Sequence, residues 1–87
     1  MSLESLVFCK KFNKELPSLA SAPLLGNIGQ VILKNCSHDA WNEWLEVQIK
    51  IINEERLDLS EKSAKERLYN AMVNFLNIAD LLDGDNY

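Results

Sequence analysis

Cys9 stands beside Lys10 and Lys11, with Lys14 a short step further on. A thiolate next to cations has a lowered pKa and raised reactivity. An exposed Cys9 in this setting would be a soft metal ligand or a redox thiol. A buried one would fill core space like any small hydrophobe. Lys10, Lys11 and Lys14 are also a candidate edge for docking an acidic partner. Cys36 and His38 form a Cys-x-His pair, which lacks the further ligands of a zinc site. Asp39 and Glu43 lie at i, i+4 with Glu46 one turn on. Such carboxylates can hold a hard or borderline divalent cation, although a solvated helix face is the commoner use. The weak metal candidates are therefore Cys9, His38, Asp39 and Glu43, and Cys9 is also the candidate redox thiol. Trp41 and Trp44, at i, i+3 beside Leu45, suit a core better than an exposed aromatic platform.

Other patterns fail on geometry. The run Ser37-His38-Asp39 is no catalytic triad, because neighbours at a helix start cannot reach one another in that arrangement. Gly26-Asn27-Ile28-Gly29 is not followed by the lysine of a phosphate loop. Asp80 with Asp83-Gly84-Asp85 lacks the final glutamate of a calcium loop. No paired acid and base or activated nucleophile can be assembled, so a non-enzymatic role is expected.

The elements that must position these residues follow from hydrophobic patterning. Residues 5–12 are apolar and β-prone before the lysines, which predicts a strand. Pro17 and Pro23 confine a second short strand to the region of Leu19–Ala22, at an edge. Leu25, Ile28, Val31 and Ile32 predict a short helix over 25–35, weakened by Gly26 and Gly29 at about 1 kcal/mol each relative to Ala. Ser37 is a candidate N-cap with Asp39 in the first turn. From it Trp41, Trp44, Leu45, Ile51 and Ile52 share a face, predicting a helix over 38–55. Ser60 is the next candidate cap. Ala64, Leu68, Ala71, Met72, Phe75 and Leu76 then give an amphipathic helix over 61–77. The acidic tail from about residue 78 is expected to fray. The expected class is α+β, mostly α. Three short helices pack with a small two-stranded antiparallel N-terminal sheet in a single domain, 1–87.

Composition narrows the partners. The 87 residues are 47% hydrophobic and 25% charged, a globular balance. With 9 Lys+Arg against 13 Asp+Glu the net charge is −4, which argues against nucleic acid. No apolar run approaches the ~20 residues that span a bilayer, and the N-terminus lacks a signal-peptide pattern. A cytoplasmic monomer with reduced cysteines is expected.

The order of motifs resembles one family. Val7-Phe8-Cys9 and Gly26-x-x-Gly29-x-x-Ile32 come first. Ser37-x-x-Ala40-Trp41-x-x-Trp44-x-x-x-Gln48, Ile52-Asn53-Glu54-x-x-Leu57 and Met72-Val73-x-Phe75-Leu76 follow. Over about residues 6–77 the chain resembles the bacterial Fe(2+)-trafficking proteins, also called oxidative-damage protection proteins. The resemblance implies three helices with a small two-stranded sheet. It also implies Fe(2+) transactions for synthesis or repair of iron–sulfur clusters, and protection of iron–sulfur enzymes from oxidants. Fe(2+) would be bound weakly or transiently, and the partners would be iron–sulfur or iron-requiring proteins. The family cysteine falls on Cys9; Cys36 matches none. Leu25 stands where a proline is usual, and Ser18 where a loop glycine is expected. A thiol-based redox protein using Cys9, or a non-catalytic interaction module, is the alternative.

Overall fold

The computed structural model describes residues 5–82. Along the chain run β1 (Leu6–Cys9), β2 (Lys14–Pro17), α1 (Gly26–Asn35), α2 (His38–Glu55), α3 (Lys62–Phe75) and a 3-10 turn, Ala79–Leu81. Three helices and a two-stranded antiparallel sheet are the expected architecture.

The hairpin is tighter than the patterning predicts. β1 stops at Cys9 because residues 10–13 form the turn. Asn13 takes φ 60° there, and its N–H donates to the Cys9 carbonyl at 2.6 Å. Asn tolerates this left-handed conformation better than most residues. β2 follows at once, pairing Val7 with Leu16 and Cys9 with Lys14. The second strand is therefore Lys14–Pro17 and not the region of Leu19–Ala22. Pro17 marks its end, where the missing N–H weakens the ladder. The pleat sends Cys9 into the core and leaves Leu6 and Phe8 exposed.

α1 packs close to the preceding loop through Gly29. A Cβ there would overlap the Leu24 carbonyl oxygen and lie 2.7 Å from its carbon. α2 begins as expected: Ser37 is the N-cap, and its hydroxyl oxygen accepts from the Ala40 N–H at 3.1 Å. The helix closes at Arg56, which turns left-handed at φ 52°. α3 starts later than expected. Ser60 does not cap it, because its N–H and hydroxyl both donate to the Asp58 carboxylate, at 3.0 and 2.7 Å. Glu61 is the cap residue and makes no side-chain capping bond.

One cluster of buried side chains joins the elements: Cys9, Ile32, Cys36, Ala40, Trp44, Met72, Val73, Leu76, Ile78 and Leu82. Trp44 is 1% exposed and its ring lies 6.0 Å from that of Phe75. Trp41 is only half-buried, at the cluster's edge. Full burial of such side chains contributes roughly 1.5–3 kcal/mol each. Through residue 82 the tail does not fray. Asn77 turns left-handed at φ 62°, the Ile78 N–H donates to the Val73 carbonyl at 3.0 Å, and Ile78 and Leu82 pack inside. Residues 83–87, with the Asp83-Gly84-Asp85 run, lie outside the described residues. Among the described residues no helix is long and apolar enough to cross a membrane.

Candidate functional site

The two cysteines come from distant parts of the chain to one place. Backbone pairing brings them together: the Lys10 N–H donates to the Asn35 carbonyl at 2.9 Å, joining the end of β1 to the end of α1. Cys9 and Cys36 are the neighbours of these two residues. Both are fully buried free thiols.

Hydrogen-bond donors surround the Cys9 sulfur. The Ser37 N–H points at Sγ from 3.4 Å. The Ser37 hydroxyl and the backbone amides of Lys11 and Phe12 also act to lower its pKa. Ser37 N–H is the first amide of the 18-residue helix α2, so the sulfur also lies at the positive end of a helix dipole. Burial acts to raise the thiol's pKa. The Ser37 hydroxyl and the three amides outweigh it, and Cys9 lies below the ordinary thiol value. Ser37 thus has two tasks: its hydroxyl oxygen caps α2, and its N–H donates to the Cys9 sulfur.

Cys36 has the opposite setting. Burial, followed by the charge of Cys9, pushes its thiol up to about 12. Two neighbouring thiols of the same intrinsic chemistry are thus driven apart, one toward thiolate and the other toward thiol.

The lysines of the candidate docking edge each have different neighbours. Lys10 Nζ pairs with the Asp80 carboxylate at 3.0 Å, and the Asn77 side-chain amide donates to the Lys10 carbonyl at 3.2 Å. The hydrogen bond from Lys10 holds the Asp80 carboxyl below its usual range. Lys11 Nζ stands over the Phe75 ring, 3.7 Å from its centroid, a cation–π contact. Lys14 is exposed and lines a shallow hollow of about 390 Å³ with Phe12, Leu16, Asp39, Asn42, Glu43 and Glu46.

That hollow collects the predicted carboxylates Asp39 and Glu43, together with Glu46. His38 is exposed and sits 3.3 Å from the Asn42 amide nitrogen, with Asp39 at 4.0 Å. Cys9 is sealed in the core, apart from the open hollow. Among the described residues no three His, Cys, Asp or Glu side chains gather as a metal site. Sequence reasoning missed the ties from Asp80, Asn77 and Phe75 to the hairpin. It also missed Ser37 as a donor to sulfur, although Ser37 was recognisable as a cap.

A small α+β chain with a caged thiol is the class that fold and site define. Comparison with known proteins gives the family. Residues 3–87 match the family described as bacterial Fe(2+) trafficking. A "Probable Fe(2+)-trafficking protein" from Teredinibacter turnerae is 41% identical over 81 residues, covering 93% of this chain and 92% of the relative. Proteins of the same description from Marinomonas sp. and Francisella tularensis subsp. holarctica are 43% and 46% identical. They cover 86% and 80% of this chain, and 80% of each relative. The chain belongs to the bacterial Fe(2+)-trafficking family.

Proposed function

We propose that this chain handles Fe(2+) in the cytoplasm without catalytic turnover. It passes the ion to iron-requiring proteins for synthesis or repair of iron–sulfur clusters, and so protects iron–sulfur enzymes from oxidants. The observation that carries this reading is the fully buried Cys9 sulfur, which accepts from the Ser37 N–H at 3.4 Å and whose pKa is lowered by the groups around it. The Cys9 sulfur is a soft ligand, and the carboxylates of the hollow are weak ones. Fe(2+) lies low in the divalent affinity order, so such a chain holds it loosely, as a carrier must. Fe(2+) is cargo here and does not reside in the fold. Because Cys9 is fully buried, its sulfur meets the ion only when the fold around it opens.

The test is an anaerobic Fe(2+) titration of the intact protein and of Cys9→Ser, followed by calorimetry. Saturable binding that weakens in the variant is expected. No affinity in either protein, together with no protection of a test iron–sulfur enzyme, overturns the proposal.

A further inference from the structure

Cys36 has no part in the iron reading, yet it is buried beside Cys9, whose charge raises its pKa. Two backbone relations fix the pair. The Lys10 N–H to Asn35 carbonyl bond sets the two chain segments side by side, as neighbouring strands are, roughly 5 Å apart. The Ser37 N–H that reaches the Cys9 sulfur at 3.4 Å belongs to the residue after Cys36 and is only a few covalent bonds from the Cys36 sulfur. A disulfide needs α-carbons about 4.4–6.8 Å apart, a reach compatible with two segments joined by a backbone hydrogen bond between the neighbouring residues. Both side chains belong to the same buried cluster, with no charged residue among its fully buried members.

We propose that Cys9 and Cys36 form an intramolecular dithiol–disulfide couple, closed in the folded chain by a hydroperoxide. In the first step the Cys9 sulfur attacks one peroxide oxygen. The O–O bond breaks, and the departing hydroxide takes a proton to become water. Cys9 is left as the sulfenic acid. In the second step the Cys36 sulfur attacks the Cys9 sulfur. The S–O bond breaks, the S–S bond forms, and the Cys36 proton leaves with the hydroxide as a second water. Two thiols lose two electrons and one hydrogen peroxide becomes two waters. A thiol reductant reverses the change by exchange through a mixed disulfide.

The roles are asymmetric. The Ser37 N–H that points at the Cys9 sulfur from 3.4 Å supports negative charge there, which makes Cys9 the attacking sulfur and Cys36 the resolving one. Cys9 is fully buried, so a reactant as small as hydrogen peroxide reaches it more readily than a bulky one.

The experiment uses the iron-free full chain in native buffer, treated with one equivalent of hydrogen peroxide and then alkylated under denaturing conditions. The expected product is a monomer that has lost the mass of two hydrogen atoms and takes up no alkylating agent. Trypsin should yield the peptide ending at Lys10 joined to the peptide spanning 35–50, and a reductant should restore both. A sulfinic acid on Cys9 with Cys36 still alkylatable, a disulfide between two chains, or reaction only in urea each overturns the proposal. In Cys36→Ala the same treatment should drive Cys9 on to the sulfinic acid. If that variant fails to fold, the wild-type peptide map alone decides. No step involves iron, so failure here leaves the Fe(2+) reading standing, and the reverse.

Discussion

Gly29→Ala tests how tightly α1 is seated. The new Cβ would lie 2.7 Å from the Leu24 carbonyl carbon, where ordinary contact begins at 3.4 Å. That carbon must retreat by about 0.7 Å, and its oxygen, which the Cβ overlaps, by more. The obstacle is backbone and has no rotamer to escape into. Forcing an extra methyl into a packed site costs about 1–3 kcal/mol, and a backbone obstacle argues for the upper end. Alanine returns about 1 kcal/mol through helix propensity. The net loss is about 2 kcal/mol, and a chain of this size loses roughly 4–8 °C in melting midpoint per kcal/mol. Urea titration should show the midpoint falling with an unchanged slope. Since α1 also delivers the Asn35 carbonyl to Lys10, alkylation of Cys9 should quicken in the same variant. A variant as stable as the parent would refute the reasoning, because propensity alone would then decide. Gly26→Ala is the contrast. Nothing lies within 4 Å of its Cβ, but φ is +81°, so strain of about 1–2 kcal/mol opposes the propensity gain.

Ser37→Ala removes the cap of α2 and should cost about 1 kcal/mol in urea titration. It also removes a donor to Cys9, so the pH profile of Cys9 alkylation should move to higher pH; an unmoved profile would count against the hydroxyl as a donor. Lys10→Gln should return the Asp80 carboxyl upward to its usual range, read by NMR titration of that side chain; a still-lowered Asp80 would show that Lys10 is not the cause. Alkaline stability reports on Cys36. Its native pKa is about 12 against an ordinary 9.0, so between these values the native state keeps a proton that the unfolded state has lost. Unfolding free energy then falls as pH rises, by up to about 1.4 kcal/mol per pH unit. Cys9, lowered in the native state, has the opposite sign: its contribution is full above the ordinary thiol value and is lost as pH falls through the native one. Cys36→Ala should flatten the fall above pH 9, and an unchanged alkaline slope would refute the assignment.

The helices were legible because each repeats apolar residues at helical spacing, and the start of α2 was legible in the Ser37 cap. β2 was not, because Lys14–Pro17 has a single inward apolar residue, Leu16, between charged neighbours and a proline. Asn13 was the available turn signal, and weighing it would have moved the strand to its place. Ser60 looked like a cap and is instead bound to Asp58, a local competition that propensity does not rank. The tail beyond 77 looked acidic and loose, while Ile78 and Leu82, one helical turn apart, were its anchors. Cys9 was the thiol singled out in the sequence, but its surroundings were not legible there. The amides of Lys11, Phe12 and Ser37 carry no side-chain signature, and Cys36 reaches Cys9 only through the pairing of Lys10 with Asn35.

The hairpin that shelters Cys9 is tied to the far end of the chain three times, by Lys10 to Asp80, Asn77 to Lys10, and Lys11 to Phe75. These contacts join residues about seventy positions apart, which sets an order of events during synthesis. When the hairpin leaves the ribosome, its partners have not yet been made. Contacts this distant form late, after the local helices. The young chain therefore carries the hairpin without these three ties until residues 75–80 arrive and dock. An oxidant that meets the nascent protein finds Cys9 before the finished fold has buried it.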